Sequence, residues 1–191
     1  MPRSRRRTRP LVISSGALLL MLSFGTVGQA GAKNSPDSTD IAAAAKFPER
    51  VGLFKRQGPA KLDVGGNPQA TYWAGALVLM DVFYYRTYGH TLEREYSDCK
   101  DYVKIVTPDA FLVSDSATTI SPGGHTRVGR RAIFRTRKPH GVFHAPLKSQ
   151  LLIFENKDRF VKYRITYAST HAQKAEEQIG HFLSSFSWPG N

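Results

Sequence analysis

Cysteine is nearly absent from this sequence, since Cys99 is the only one among 191 residues. A single thiol cannot close an internal disulfide, so the domain must be stabilised by its core rather than by covalent bridges. Cys99 lies on the apolar stripe of a predicted helix, together with Tyr96 and Tyr102. We therefore predict a buried, unreactive thiol rather than a nucleophile. With no cysteine directly after the leader, a lipid anchor on an acylated cysteine is not expected either.

Long apolar runs are also missing after the first thirty residues. The longest run, from Ala74 to Met80, is followed directly by Asp81, and only the short stretch from Val82 to Tyr85 continues beyond it. It falls far short of the roughly 20 apolar residues that a membrane-spanning helix needs. We predict no transmembrane span in the mature chain.

Motifs of catalysis and metal binding are scarce. The sequence contains no G-x-S-x-G, G-x-G-x-x-G or Walker pattern. His140 and His144 are four residues apart, but Pro139 and Gly141 disfavour a helix there, and on a strand the two would sit roughly 13 Å apart. We predict neither a metal site nor a cofactor. One enzymatic alternative stays open, a hydrolase in which folding brings a carboxylate to His125.

The N-terminus has the three regions of a secretory signal peptide. Five arginines without an acid precede the apolar segment from Leu11 to Val27, and small residues follow it. The triplet Ala30-Gly31-Ala32 predicts cleavage before Lys33, and cleavage after Ala30 fits nearly as well. An uncleaved signal anchor and a twin-arginine signal are weaker alternatives. We predict that residues 1–32 are a cleaved signal peptide and that the mature protein is periplasmic or extracellular.

The mature chain divides into a lead segment and a domain. Residues 33–46 are small, polar and alanine-rich, which predicts a flexible linker, with a short helix from Ile41 to Lys46 as the alternative. Residues 47–191 have the length of one domain. We therefore predict a single domain over this range.

The periodicity of the domain changes along the chain. From Leu77 to Tyr85 both faces are apolar except at Asp81, which predicts a central strand. From Thr91 to Val106 the apolar residues recur at helical spacing behind an N-cap threonine. Further strands are predicted over residues 117–120, 132–137, 142–154 and 159–167, with turns at 121–124, 137–141 and 155–158 and a helix over 172–186.

This order of elements predicts an α+β fold. Runs of adjacent strands without intervening helices favour a mainly antiparallel sheet, with one mid-chain helix and a C-terminal helix packed on it. The last strand, "RFVKYRITY", alternates apolar and polar side chains. We predict that the apolar side packs under the last helix and that the side with Lys162 and Arg164 is solvated. Asp81 either lines a pocket as a carboxylate with a raised pKa, or pairs with an arginine or lies at a bulge or sheet edge.

Two segments carry a resemblance to a known group. "FPERVGLFKR" near the start and "FVKYRITY" before the final helix resemble exported bacterial proteins of unknown function that share the patterns F-P-x-x-V-G-x-F and F-V-K-x-R-x-T-Y. Such proteins resemble the PsbP-type α/β/α sandwich, which implies an antiparallel sheet with helices on its faces. Neither motif is catalytic, so the resemblance implies no activity and no functional residues.

The strongest functional signal is a charge asymmetry. Between Ser116 and Phe154 there are seven lysines or arginines and no acid. Joined by two cations of the last strand, they predict either a basic anion-binding face or an ordinary solvated sheet face. The candidate anion-binding residues are Arg127, Arg130, Arg131, Arg135, Arg137, Lys162 and Arg164.

The predicted partner follows from this charge. For an exported protein it would be an anionic envelope component or an acidic protein rather than nucleic acid. The sequence names no biochemical activity. We predict a non-enzymatic binding or accessory module of the cell envelope, with docking to anionic surfaces as the more specific alternative.

Overall fold

The computed structural model describes residues 38–63, 65–75, 77–140 and 143–189, and for His140 the backbone alone. The predicted signal peptide, residues 1–32, lies outside this range. The described residues form nine strands and three α-helices. In chain order these are α1 (Ser38–Ala45), β1 (Arg50–Val51), β2 (Phe54–Arg56), β3 (Lys61–Leu62), β4 (Pro68–Ala74), β5 (Val78–Arg86), α2 (Leu92–Val106), β6 (Ala110–Ile120), β7 (Arg127–His140), β8 (Ala145–Asn156), β9 (Arg159–Ala168) and α3 (Ala172–Ser185).

The strands form one antiparallel sheet in the order β1–β2–β4–β5–β9–β8–β7–β6, with β3 beside β4. The predicted α+β class and the C-terminal helix are confirmed. β5 lies between β4 and β9, in the interior of the sheet, as its two apolar faces predict. Because directly opposite residues of antiparallel strands share a face, the register assigns every side chain to one of two sides. We call these the α3 face and the α2 face, after the long helix that covers each.

The α3 face holds the larger core. The odd-numbered side chains of β9 point to it and are fully buried, as the alternation in the sequence predicts; they are Val161, Tyr163, Ile165 and Tyr167. Phe182 of α3 packs at the centre, with its ring centroid 4.9 Å from Phe54 and 5.1 Å from Tyr72. Aromatic rings at these distances add packing specificity to the area they bury.

The α2 face holds a second core. Thr91 caps α2 by accepting a hydrogen bond from the backbone amide of Arg94, which confirms the predicted helix start. Tyr96 and Val103 of α2 pack on Phe134 and Phe160 of the sheet. The sheet is therefore enclosed on both sides, α2 on one and α3 with α1 on the other.

Helix α2 also corrects a prediction about β9. Lys162 and Arg164 were expected on a solvated face, but Lys162 is 6% exposed and Arg164 is only partly exposed. The sequence pattern identifies the two sides of the strand correctly. It does not show that a helix sixty residues earlier in the chain packs on the charged side.

The predicted flexible linker over residues 33–46 differs from the structure where the structure describes it. Ser38–Ala45 is helical, which is closer to the alternative of a short helix. Ala43 and Ala44 are buried, and Asp40 pairs with Arg159 of β9. The packed domain therefore begins before Phe47.

Two strand boundaries were also wrong. β6 begins at Ala110 rather than Ala117, and β7 continues to His140 through the predicted turn at residues 137–141. The early part of β6 shows no clean alternation, because the register with β7 shifts between Leu112 and Ser114. None of the helices in the described ranges is long and apolar enough to cross a membrane.

Candidate functional site

The structure divides the seven candidate anion-binding residues between the two faces of the sheet. Three of them point to the α2 face, namely Arg130, Lys162 and Arg164. The other four lie on the α3 face, namely Arg127, Arg131, Arg135 and Arg137. The seven therefore do not make one surface. Anion binding stays a prediction, and it concerns the two groups separately.

The α3-face group lies on the part of the sheet beyond α3. Arg127, Arg131 and Arg135 are spaced by four residues on β7, and Lys148 of β8 is directly opposite Arg135. Arg137 joins them because its guanidinium lies 5.5 Å from the ring centre of Phe111, the residue opposite Arg135 on β6. We call these residues the basic wing, which consists of Arg127, Arg131, Arg135, Arg137 and Lys148.

One carboxylate, Glu176 of α3, contacts the basic wing. It accepts hydrogen bonds from Arg131 (3.1 Å), from the Lys148 ammonium, and from the Tyr167 hydroxyl (2.9 Å). Burial opposes ionisation of Glu176, but the hydrogen bonds from Lys148 and Tyr167 outweigh it and lower its pKa. Glu176 therefore neutralises one of the five positive charges and orients two of the side chains that carry them.

The charges of Arg135 and Arg137 face solvent. Arg135 and Arg137 are exposed, and within the described residues neither has a carboxylate partner. On this face the β6 residue opposite Arg135 is Phe111, and the next ones along the strand are the small hydroxyls Ser114, Ser116 and Thr118, none of them an acid. An anion that approached this surface would therefore meet uncompensated positive charge.

Arg130, on the opposite face, is already neutralised. Its guanidinium donates to Asp115 (2.9 Å) and Glu93 (3.4 Å) and lies over the Tyr96 ring. Lys100 donates to the other oxygen of Asp115 at 2.6 Å, and this hydrogen bond is the main reason that the pKa of Asp115 falls to about 2. Arg130 is part of an ion-pair network that joins α2 to the sheet.

Asp81 and Arg164 are directly opposite each other on β5 and β9, on the α2 face. Asp81 accepts a 2.6 Å hydrogen bond from the Thr71 hydroxyl. Burial raises the pKa of Asp81, although Thr71 and the positive charge of Arg164 oppose that shift. Burial also lowers the pKa of Arg164 to about 10, against the attraction of Asp81. The raised pKa agrees with one expectation for Asp81 and the position of Arg164 with the other, whereas a pocket lined by Asp81 stays a prediction.

Lys162 of β9 lies close to Cys99 of α2, between the helix and the sheet. The ammonium of Lys162 lies 3.8 Å from the thiol sulfur and 4.6 Å from the ring centre of Phe83. Burial is the main cause that raises the pKa of Cys99 to about 11, and Glu95, 3.4 Å from the sulfur, adds to it. A thiol in this state is a poor nucleophile, as the sequence predicts.

The hydrolase alternative gains no support from the fold. His125 is exposed after the turn Pro122–Gly124, and its side chain makes no hydrogen bond or ion pair with any described residue. The described residues also contain no group of three or more potential metal ligands. Within the part of the chain that the structure describes, no acid is hydrogen-bonded to His125 to orient it as a general base.

Sequence reasoning did not include two residues of the site. Lys148 is one of the seven cations between Ser116 and Phe154 but not one of the candidate anion-binding residues, and Glu176 lies in the predicted C-terminal helix. Lys148 shares its face with Gln150 and Leu152, so the parity of β8 could have placed it. Glu176 could not be found in this way, because its position depends on how α3 crosses the sheet.

The comparisons with known proteins give two distant structural likenesses. No known family and no curated protein matches the chain. The solution structure of PsbP (CyanoP) from Synechocystis sp. PCC 6803 is 12% identical, with 83% of this chain and 96% of that chain covered and a TM-score of 0.46. The protein of unknown function PA94 from Pseudomonas aeruginosa is 10% identical, with 66% and 78% covered and a TM-score of 0.41. Both likenesses are too distant to carry an argument about function.

Proposed function

We propose that this protein is an exported accessory module that binds an acidic partner through the basic wing. The observation that supports it is the balance of charge on that surface. Five cationic side chains lie on one side of β7 and β8, and the Glu176 carboxylate contacts two of them, Arg131 and Lys148. Arg135 and Arg137 are the exposed part of this surface. Lys162 and Arg164 do not contribute, since α2 packs over them.

The arrangement suits docking rather than chemistry. The wing presents two solvent-exposed cations, Arg135 and Arg137, on paired β-strands, which gives electrostatic attraction that falls with ionic strength. Asp81 and Arg164, two of the groups with shifted pKa values on the α2 face, are cross-strand neighbours in a packed layer. We therefore place the function of the protein on the α3 face.

A charge-reversal experiment tests the proposal. The double variant Arg135→Glu/Arg137→Glu is compared with the unchanged protein, as processed by the cell, for binding to immobilised poly-glutamate at low and high salt. We expect at least a tenfold loss of affinity at low salt, because each cation near an anionic surface contributes about 1 kcal/mol. High salt should lower the affinity of the unchanged protein for poly-glutamate towards that of the variant.

The matched control is Arg50→Glu/Lys55→Glu. These two exposed residues are opposite each other on β1 and β2, near the other edge of the sheet, and the charge change is the same. An equal loss of binding in the control would show that net charge rather than the wing is responsible. The proposal would then be wrong.

A further inference from the structure

The α2 face of the sheet has a part that lies outside the core beneath α2. The helix packs on β6, β7 and β8, and its core takes in Phe83 and Tyr85 from one end of β5. At the other end of β5, six side chains on β4, β5 and β9 are partly exposed, although these strands lie in the interior of the sheet. We call these six the open corner, which consists of Thr71, Trp73, Leu79, Asp81, Arg164 and Thr166.

The strand register arranges the open corner in two rows. The charged row consists of Thr71, Asp81 and Arg164, and the apolar row consists of Trp73, Leu79 and Thr166. Residues two apart on a strand share a face and are separated by about 6.6 Å, so this is the distance between the rows. The corner therefore presents a carboxyl group beside a guanidinium, with an indole and an aliphatic side chain one step away.

Two other elements border the open corner. Phe143, from the connection between β7 and β8, stacks on Trp73 with 6.3 Å between the ring centres and 18° between the planes. Since β9 and β5 separate β8 from β4, this ring has reached across the sheet on the α2 face. On the other side, Tyr102 of α2 is close enough to Arg164 to affect its pKa. The corner is therefore the floor of a depression.

Asp81 and Arg164 combine strong desolvation with access to solvent. Burial is the main cause that raises the pKa of Asp81 and lowers that of Arg164, yet both side chains remain partly exposed. Protein atoms surround them on most sides while water reaches them from the open side. A charged pair in such surroundings is weak evidence for stability, because well-packed apolar residues often do as well. Its place in a depression favours a role in binding.

The two charges complement a zwitterion. An α-ammonium group would donate to Asp81, and the α-carboxylate on the same carbon would accept from Arg164. Neither side chain has to give up a present partner, such as the Thr71 hydroxyl at 2.6 Å from Asp81, because a carboxylate and a guanidinium each make several hydrogen bonds. From the charged row, the side chain of the ligand would extend over the apolar row.

We propose that the open corner binds a free α-amino acid with an apolar or aromatic side chain, which lies against Trp73, Leu79 and Phe143. The site is on the opposite face of the sheet from the basic wing. It adds a second binding activity to the proposed docking function and does not depend on it.

Two other classes of ligand fit less well. A simple carboxylate could pair with Arg164, but it would lie beside Asp81, whose negative charge repels it. A neutral sugar could form hydrogen bonds to both groups, but it would not use their opposite charges. Phe143 also covers one face of the Trp73 indole, on which a sugar ring would stack.

The test is calorimetric titration of the unchanged protein, as processed by the cell, with L-phenylalanine and L-leucine. N-acetyl-L-phenylalanine lacks the ammonium charge, L-phenylalaninamide lacks the carboxylate, and glycine lacks the side chain. We expect each of these three to bind at least about tenfold more weakly than L-phenylalanine, because each loses a charge-assisted contact or the apolar one.

A variant locates the binding. Asp81→Asn keeps the shape of the side chain and an acceptor for Thr71, and it should lower the affinity for L-phenylalanine at least about tenfold. Asp101→Asn makes the same chemical change at an exposed position of α2 and should leave the affinity within about twofold. Equal losses in the two variants would contradict the site.

The ligand series decides the inference even if Asp81→Asn does not fold. Equal affinity for L-phenylalanine and its two blocked derivatives would show that the charged row does not recognise the ligand, and the inference would be wrong. It would also be wrong if no amino acid bound, or if glucose bound and the amino acids did not. Poly-glutamate binding by the basic wing is a separate measurement, so either proposal can fail alone.

Discussion

Asp40 of α1 and Arg159 of β9 form a largely buried ion pair, with 2.5 Å between the carboxylate and the guanidinium. The pair joins the first described helix to the centre of the sheet, where the guanidinium also lies 5.0 Å from the ring centre of Tyr84. Removing one partner of a buried pair leaves the other charge without compensation. The interaction therefore connects the lead segment to the stability of the whole domain.

We predict that Asp40→Asn lowers the free energy of unfolding by about 3 kcal/mol, because it leaves the Arg159 guanidinium buried without a counter-charge. Chemical denaturation measures the change. Asp158→Asn, at an exposed acid next to Arg159 in the chain, is the control and should cost less than about 0.5 kcal/mol. If both variants lowered the free energy of unfolding by the same amount, the packing of α1 on the sheet through the Asp40–Arg159 pair would be contradicted.

Gly129 of β7 is a second sensitive position. A Cβ atom there would lie 2.3 Å from the backbone oxygen of Ile153 and 2.4 Å from the ring of Phe154, and no flexible side-chain end could relieve the first contact. We predict that Gly129→Ala destabilises the protein by about 2 to 3 kcal/mol. Thermal and denaturant unfolding would measure this loss.

Gly180 of α3 provides the matched control for Gly129. A Cβ atom there meets nothing within 4 Å, and alanine favours a helix over glycine. Gly180→Ala should therefore stabilise the protein by about 0.5 to 1 kcal/mol. The packing described for β7 and β8 would be refuted if both variants changed stability in the same direction by the same amount.

The network around Asp115 predicts a dependence of stability on pH. The folded-state pKa of Asp115 is lowered to about 2 from an ordinary value of 3.8, chiefly by the hydrogen bond from Lys100. A lowered pKa means that the unfolded state binds the proton more readily, so the stabilisation is present above pH 3.8 and is lost as the pH falls towards 2.

We predict that Asp115→Asn costs about 1 kcal/mol at neutral pH, and that the difference from the unchanged protein disappears between pH 3.8 and 2. Denaturation curves across this range measure it. Asp101→Asn removes an exposed pair with Lys104 and should cost little at any pH. A constant difference for Asp115→Asn down to pH 2 would contradict the pKa assignment.

The raised pKa of the half-buried Cys99 thiol predicts slow alkylation. Since the pKa of Cys99 rises from 9.0 to about 11, the thiolate at pH 8 should be roughly a hundredfold scarcer than for an ordinary cysteine. We expect iodoacetamide to modify Cys99 at least about tenfold more slowly than a cysteine placed at the exposed Ser97 of the same helix, in the double variant Ser97→Cys/Cys99→Ser. Comparable rates of modification under native conditions would show that the packing of α2 on the sheet does not shield the Cys99 thiol.

Local patterns predicted the elements with strong periodicity. The cap at Thr91 and the helical spacing after it located α2, because capping and amphipathicity depend on neighbouring residues. The uniform apolar character of β5 placed it inside the sheet. The pattern failed in β6, where the register shift interrupts the alternation of side chains. It also failed for α1, a short helix that is joined to β9 by the ion pair between Asp40 and Arg159.

What the sequence determined by itself is the alternation of side chains along each strand. It showed that Val161, Tyr163 and Ile165 belong to one side of β9 and that Lys162 and Arg164 belong to the other. Only the tertiary structure decided that α2 covers the charged side, and that Arg131 and Arg130, adjacent in the chain, serve a basic surface and an ion-pair network on opposite faces. Strand geometry is local and has a period of two, whereas helix docking and strand order depend on contacts between distant residues.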